Sequence, residues 1–151
     1  MTMSNTSTKR STIRAGSCLC KRIKFKIHGD PFTFILCHCV NCKKASGTAF
    51  LSNLWFQEKN VIITEGSDLV KCYEDHDTAS GNALRRHFCS NCGSTLFLRP
   101  SKEYPRSDII MLHASTVDDP FHWQPRNEFH KDSKWSWVDV QINRKKLRSK
   151  L

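Results

Sequence analysis

The chain has 151 residues and is 38% hydrophobic, which suits one compact domain with a modest core. It contains no apolar run of the ~18 residues that a membrane helix requires, and its first residues are too polar for a secretory leader. We therefore expect a soluble, cytoplasmic protein rather than a membrane-spanning one. A nuclear location is left open.

The net charge of +10 is concentrated at the two ends of the chain. Residues 1–14 carry three basic residues and residues 141–151 carry five, with no acidic residue in either segment. We expect 1–14 to be a disordered basic tail and 141–151 a basic C-terminal tail. Since the residues between them carry only about +2, nucleic-acid binding is expected to be at most weak and to occur through the tails.

Short strand patterns separated by turn residues fill residues 15–140. The clearest lies at 22–27, where alternating polar and apolar residues predict a half-buried strand. Further strands are expected at 32–36, 50–56, 61–64, 69–73, 84–88, 93–98, 109–114 and 135–140, with loops at 74–82 and 100–107. There is no heptad repeat and no long helical pattern, so the sequence predicts a mainly β domain.

Seven of the eight cysteines fall into three close groups. Clustered cysteines in a cytoplasmic protein are more often metal ligands than disulfides. The groups divide naturally into four ligands and three: Cys18, Cys20, Cys89 and Cys92 on one side, and Cys37, Cys39 and Cys42 on the other.

The first set offers the four thiolates that a closed structural zinc site needs. The pairs are distant in sequence, so joining them would close a long loop and convert metal binding into folding free energy. A glycine, Gly93, follows the second pair and allows the tight turn of a zinc knuckle. The alternative is that these are ordinary buried thiols.

The second set lies within six residues and predicts a catalytic zinc site, because three thiolates leave the fourth coordination position free for a substrate. The alternative is a second structural zinc whose fourth ligand is Cys72 or a histidine. Cys72 has no knuckle partner and is otherwise expected to be a small buried residue. His38 lies between two ligands and is expected to point away from the metal as a hydrogen-bonded loop histidine.

Several basic and aromatic residues remain open in their role. Cations beside the cysteine groups either bind substrate carboxylates or form a solvated surface; they are Lys43, Lys44, Arg85 and Arg86. The four tryptophans are expected in the core or on a dimer surface rather than as a ligand platform. The sequence leaves a homo-oligomer open.

Five short segments together resemble the glutathione-dependent formaldehyde-activating enzyme family, which also includes centromere protein V. They are Gly-Ser-Cys-Leu-Cys at 16–20, Cys-His-Cys-Val-Asn-Cys-Lys-Lys-Ala-Ser-Gly at 37–47, Phe-Cys-Ser-Asn-Cys-Gly-Ser at 88–94, and the later segments 114–120 and 128–135. The resemblance spans about residues 14–140.

The resemblance implies a small zinc-stapled β-tent of short antiparallel sheets, with residues 15–140 as the zinc-binding domain and two zinc ions per chain. One would be structural, held by the outer cysteine pairs, and one catalytic, held by the middle loop. It also implies carbon–sulfur lyase chemistry, the condensation of glutathione with formaldehyde to S-hydroxymethylglutathione. Since coordination deprotonates thiols, zinc is expected to bind the thiol rather than the carbonyl.

The same family suggests a different function as the alternative. As in centromere protein V, the chain would be a non-enzymatic zinc scaffold whose basic tails contact nucleic acid or the cytoskeleton. The nearly neutral charge between the tails disfavours a nucleic-acid face on the domain itself.

Overall fold

The computed structural model describes residues 12–140 and residue 142. This part of the chain contains ten strands and one α-helix, joined by short turns and 3₁₀ segments. The strands are β1 (Ile13–Ser17), β2 (Lys24–His28), β3 (Thr33–Cys37), β4 (Leu51–Gln57), β5 (Val61–Glu65), β6 (Val70–Asp75), β7 (Leu84–Cys89), β8 (Thr95–Pro100), β9 (Ile109–His113) and β10 (Asn127–Phe129); the helix α1 is Val40–Ser46. No helix in this part of the chain is long and apolar enough to cross a membrane.

The strands form two sheets. The smaller has three strands in the order β1-β2-β5, and the larger has seven in the order β10-β3-β4-β9-β8-β7-β6. Every pair is antiparallel except β10 with β3, which is parallel and makes the larger sheet mixed. The expected mainly β architecture is confirmed.

The main hydrophobic core lies where the small sheet meets one face of the large sheet. Strict alternation along β2 buries Phe25 and Ile27 and leaves the residues beside them exposed. They join Leu54, Phe56 and Leu112 of the large sheet in one buried cluster. Since side chains alternate across a strand, the neighbouring residues of the large sheet must project from its other face.

That other face carries a second, smaller cluster and the candidate site. In the strand register Trp55 lies opposite Met111, and Met111 lies opposite Leu98. Leu98 in turn lies opposite Arg86, so these four side chains share one face across four strands. The helix α1, which follows β3, brings Cys42 onto this face beside Leu98 and Met111.

The predicted strand at 135–140 is wrong. These residues form a turn and irregular backbone, and Trp135 and Trp137 are 44% and 73% exposed. Their alternating aromatic pattern resembles a strand, but no sheet edge pairs with them. The final strand is instead the three-residue β10. At the other end β1 begins at Ile13, inside the predicted tail 1–14; residues 1–11 and 143–151, and with them most of both predicted tails, lie outside the described residues.

Candidate metal centres

The four outer cysteines converge on one point. The sulfur atoms of Cys18, Cys20, Cys89 and Cys92 all lie within 4.8 Å of one another. The Sγ–Sγ distances are 3.4 Å from Cys18 to Cys20 and 3.9 Å from Cys20 to Cys89. Four thiolates bound tetrahedrally at about 2.3 Å from zinc would lie about 3.8 Å apart, so the group fits that ion without rearrangement.

Two tight turns present these sulfurs. After the first pair the chain turns through Lys21 at φ 60°, and after the second through Gly93 at φ 72°. The turn at Gly93 closes with hydrogen bonds from Gly93 N to Cys89 O and from Cys89 N to Ser94 O, at 2.8 and 2.9 Å. Ile23 N also donates to Cys18 Sγ at 3.3 Å, which is how backbone amides support a metal-binding thiolate.

The three middle cysteines form a separate group at the end of β3. Their sulfurs also lie within 4.8 Å of one another, and all three residues are buried. Cys39 is the N-cap of α1, and its sulfur accepts a hydrogen bond from Cys42 N at 3.4 Å. The helix ends after two turns at Gly47, whose φ of 65° suits glycine. A short helix with a cysteine as its cap therefore turns all three sulfurs to one side.

The ionisation of the three thiols is linked. Hydrogen bonds from Cys37 and then Cys42 hold the pKa of Cys39 far below its ordinary value. The pKa of Cys37 is raised, chiefly by its bond with Cys39, and the pKa of Cys42 is raised by its bonds with Cys37 and Cys39. One sulfur thus ionises readily, and the full set of three thiolates needs a cation to offset their mutual repulsion.

The middle group offers three thiols, and no fourth side chain that could bind a metal joins it among the described residues. No additional histidine, cysteine or carboxylate joins it within the 4.8 Å that contains the sulfurs. Cys72, one of the two expected sources of a fourth ligand, is exposed on β6, so its predicted burial is wrong. It lies on an edge strand, where the sheet leaves its side chain uncovered. All eight cysteines are free, in agreement with metal binding rather than disulfides.

A cavity of about 270 Å³ opens beside the three-cysteine group, and Cys37, Cys39 and Cys42 form part of its wall. Most of the rest of the wall is apolar, formed by Ile35, Trp55, Leu84, Leu98, Met111 and Phe129. A largely apolar cavity with a few polar atoms is typical of a small-molecule site. The four-cysteine group lies between its two turns, with Cys18 and Cys89 buried and Cys20 and Cys92 half-buried.

Arg86 provides a fixed positive charge in the wall of this cavity, which also contains Arg106. Its Nε and Nη2 atoms both lie 2.7 Å from Asp75 Oδ2. Burial by itself lowers the pKa of Arg86, but the bonds with Asp75 and the neighbouring Cys42 sulfur outweigh it and raise that pKa. The guanidinium therefore stays charged beside the sulfurs. Of the four candidate cations, the cavity wall contains only Arg86.

The other candidate cations have different roles. Lys43 donates to the carbonyl oxygen of Ser133 at 2.7 Å and lies 4.8 Å from the centre of the Trp135 ring. Arg85 donates to the carbonyl oxygen of Pro100. Lys44 is exposed. These three residues support loops or face solvent.

His38 is a structural residue, as expected. It is fully buried, and its Nε2 donates to Glu128 Oε1 at 3.1 Å, while Lys134 Nζ lies 3.0 Å from the same oxygen. The backbone N–H of His38 also donates to Phe129 O. His38 thus attaches β10 to the cysteine loop.

Sequence reasoning missed several residues of the cavity. Trp55 was expected in the core or on a dimer surface but forms cavity wall, and Asn53 and His130 of the wall were not singled out. Asp75, which holds Arg86 without lining the cavity itself, was not singled out either. His130 has a φ of 55°, which is uncommon for a residue other than glycine and often marks a functional site. None of these residues is close in sequence to the cysteines, so only the strand order brings them together.

Comparisons with known proteins point to one family. The family model described as glutathione-dependent formaldehyde-activating enzyme matches residues 13–133. A Halomonas elongata protein whose name places it among these enzymes is 26% identical over 129 residues, covering 83% of this chain and 80% of that protein. A Talaromyces marneffei protein named in the same way is 27% identical over 107 residues, covering 71% of this chain and 54% of its own.

A third relative and a solved structure are also similar to this chain. A Schizosaccharomyces pombe protein named as an uncharacterized lyase is 33% identical over 82 residues, covering 54% of each chain. This chain therefore spans about half the length of these two fungal relatives. A crystal structure of a Rhodobacter sphaeroides protein shares the fold with a TM-score of 0.53 at 12% identity, covering 71% of this chain and 90% of that one. With a family match over most of its length and both cysteine groups in place, the chain belongs to the glutathione-dependent formaldehyde-activating enzyme family.

Proposed function

We propose that this chain is a zinc-dependent enzyme of the carbon–sulfur lyase type, which joins a small-molecule thiol to an aldehyde at the three-cysteine group. Glutathione and formaldehyde are the first candidates, giving S-hydroxymethylglutathione. The thiol and the aldehyde come from the names of the relatives, which are described as glutathione-dependent formaldehyde-activating enzymes or as a lyase.

One observation carries this proposal: a three-thiol group without a fourth protein ligand among the described residues borders a cavity. A closed structural site has no need of such a cavity. Catalytic zinc sites characteristically have three protein ligands and an open position. We therefore assign Cys37, Cys39 and Cys42 to the catalytic zinc, and Cys18, Cys20, Cys89 and Cys92 to a structural one.

Zinc bound by three thiolates would lower the pKa of a substrate thiol in the fourth position. The residues of the chain perform the remaining tasks. The apolar wall of the cavity excludes water from the neighbourhood of the sulfurs. Arg86 offsets their negative charge and keeps its own proton, since its pKa is raised.

The decisive experiment measures exchange between free formaldehyde and its glutathione adduct by NMR on the zinc-loaded protein. The two compounds also react without a catalyst, so the protein is expected to accelerate the exchange while leaving the equilibrium unchanged. An exchange rate equal to that of the protein-free mixture would contradict the proposed function.

A matched pair of cysteine variants locates the activity. Cys39→Ser removes one ligand of the three-cysteine group and is expected to abolish the acceleration. Cys72→Ser removes an exposed thiol outside both groups and is expected to retain it. Equal activity in both variants would assign the reaction to another site.

A further inference from the structure

A chain of three polar side chains ends at the wall of the cavity. Asn41 Nδ2 donates to both carboxylate oxygens of Asp75, at 3.2 and 3.0 Å, and to the carbonyl oxygen of Asp77 at 2.7 Å. Asp75 then holds Arg86 through Nε and Nη2, with both side chains more than nine-tenths buried. The guanidinium is therefore fixed in position from behind.

One nitrogen of this guanidinium remains without a partner. Nη1 of Arg86 is buried and makes no hydrogen bond within the described part of the protein. Asn53 Oδ1 and Trp55 Nε1 are also buried without a partner, and all three side chains line the same cavity. A buried unpaired donor is costly, so two donors and an acceptor around one cavity indicate a ligand that completes them.

The position of Arg86 limits which part of a ligand it can reach. Its guanidinium lies beside the Cys42 sulfur, and both residues belong to the wall of the same cavity. A thiol that binds at the three sulfurs would therefore bring the atoms next to its own sulfur toward this guanidinium. The free nitrogen is thus suited to an oxygen on the carbon attached to sulfur, rather than to a distant carboxylate.

We propose that Arg86, positioned by Asp75 and Asn41, binds the oxygen atom on the carbon that bonds to the substrate sulfur. This inference rests on the proposed function and adds to it a residue that contacts the substrate oxygen. Arg86 is then a catalytic residue, while Asp75 and Asn41 are positioning residues.

The bond changes explain why a cation belongs there. The thiolate sulfur forms the new C–S bond to the carbonyl carbon, and the C=O π bond breaks. Its electron pair moves to the oxygen, which then takes a proton from water, so no oxidant or reductant is involved. Negative charge develops on the oxygen before that proton arrives, and a fixed donor at this position stabilises the transition state more than the ground state.

The test uses binding of two small sulfur ligands, so it does not depend on turnover. Thioacetate has an oxygen on the carbon attached to its sulfur, whereas dithioacetate has the same charge and nearly the same shape with a weakly accepting second sulfur in that place. Isothermal titration of the zinc-loaded protein should give thioacetate at least about tenfold tighter binding, the value of one charge-assisted hydrogen bond.

Arg86→Lys is the variant of choice because lysine keeps a cation beside Asp75 but lacks the fork that presents a second nitrogen to the cavity. It should reduce the preference for thioacetate by about tenfold and leave dithioacetate binding and zinc content unchanged. Arg85→Lys is the matched control, since its guanidinium bonds to Pro100 O and does not line the cavity. An unchanged preference in Arg86→Lys, or none in the wild type, would overturn the proposal.

Two further results separate this proposal from its basis. If Arg86→Lys does not fold, Asn41→Ala decides, since it releases Asp75 but leaves the ion pair. The thioacetate preference should then fall severalfold at normal zinc content, and an undiminished preference would reject the proposal. If the wild type does not accelerate glutathione–formaldehyde exchange, the proposed function fails. The thioacetate preference still decides whether Arg86 binds an oxygen on the carbon attached to sulfur.

Discussion

A buried histidine behind the site makes the stability of the protein depend on pH. His113 ends β9, is 2% exposed, and its Nε2 has no hydrogen-bond partner in the described part of the chain. Burial, followed by the positive charge of Arg86, lowers the pKa of His113 to about 3. In the unfolded chain the ordinary pKa of about 6.5 returns, so the unfolded state binds the proton first as pH falls.

We expect the wild type to lose stability on acidification and the His113→Gln variant to lose less. Between about pH 6.5 and pH 3 the wild type should lose up to ~1.4 kcal/mol of unfolding free energy per pH unit from this residue. Urea unfolding at about pH 7 and about pH 5 would measure the difference between wild type and variant, and the loss of metal at low pH affects both proteins alike. His122→Gln, at an exposed histidine, is the control. If wild type and His113→Gln lose the same unfolding free energy between the two pH values, the neutral buried state of His113 is contradicted.

Two glycines with similar backbone angles separate torsional strain from steric clash. Gly29 has φ 75° with open space around it, whereas Gly66 has φ 70° and a Cβ there would overlap the carbonyl oxygen of Arg22. Gly29→Ala should cost about 1–2 kcal/mol for the left-handed backbone alone. Gly66→Ala should cost more, because the backbone next to the first cysteine turn would have to move. If both variants lose the same unfolding free energy in urea, the backbone at Arg22 can move at little energetic cost.

At the same scale, the two cysteine groups could be predicted and most of the cavity could not. The spacing of Cys37, Cys39 and Cys42 is a local property, because one capped helical turn places all three sulfurs. Asp75 and Trp55 reach the site only through the order of the strands, which no local pattern contains. Residues 74–82 are polar and predict a loop, although the strand β6 extends to Asp75 and brings it opposite Leu84.

At the level of elements, the two cysteine groups differ in what they join. The four-cysteine group connects the turn after β1 with the turn after β7, far apart in the sequence. The three-cysteine group lies within one short segment, from the end of β3 into α1. A metal in the first group therefore stabilises the tertiary fold, whereas one in the second constrains a loop that the sheet already anchors.

Cys89→Ser and Cys39→Ser should accordingly have different effects. Cys89→Ser removes a ligand that is completely buried and should unfold the domain or make it insoluble. Cys39→Ser should remain folded, since a serine can still cap α1, but should lose the second zinc. Thermal melting and zinc content of both proteins would test this. If Cys39→Ser melts as early as Cys89→Ser, the three-cysteine group is structural and its catalytic assignment is wrong.

The C-terminal part of the described chain shows why short strands are hard to predict. The segment 135–140 has alternating aromatic residues, yet a strand also needs a free sheet edge, and here that edge pairs with Asn127–Phe129. β10 has only three residues, too few to show the alternation of polar and apolar residues that is typical of a strand. Their place is fixed by contacts with β3 and the cysteine loop, including the bond from His38 N to Phe129 O.

In the molecule as a whole, the two faces of the large sheet have different roles. One face packs against the three-stranded sheet and forms the core, and the opposite face holds the cavity and the three-cysteine group. Polar groups that would destabilise a core, such as Arg86 and Asp75, are confined to the second face. The alternation of side chains along each strand thus gives the protein a stable side and a reactive side.

The metal content of the intact protein follows from its two separate cysteine groups. Elemental analysis should return about two zinc ions per chain when both are filled. The four-cysteine group should retain its metal through mild chelation, whereas the three-ligand group should lose it first. Protein without metal but with intact disulfides by mass spectrometry would contradict the assignment of both groups.

The basic C-terminal segment, residues 141–151, would carry the alternative function of the chain as a scaffold. Residues 141–151 carry half of the net charge of +10, and none of the described strands or helices lies within them. Deleting them should leave thermal melting unchanged and remove most of the weak binding to DNA, because that binding arises from counterion release at lysine and arginine. The slope of log K against log salt should become less steep by at most about 4–5, or about 0.9 for each of the five lost charges.

The matched control keeps the length of the segment and replaces its five basic residues by glutamine; it should behave like the deletion. Binding that persists in both variants, with an unchanged salt slope, would locate the nucleic-acid contact on the folded domain. Since the charge outside the two ends is only about +2, such a contact would have to use a local cluster of cations. The chain would then have to be considered a zinc-stabilised scaffold, and exchange of formaldehyde would have to be demonstrated independently before enzymatic activity was retained.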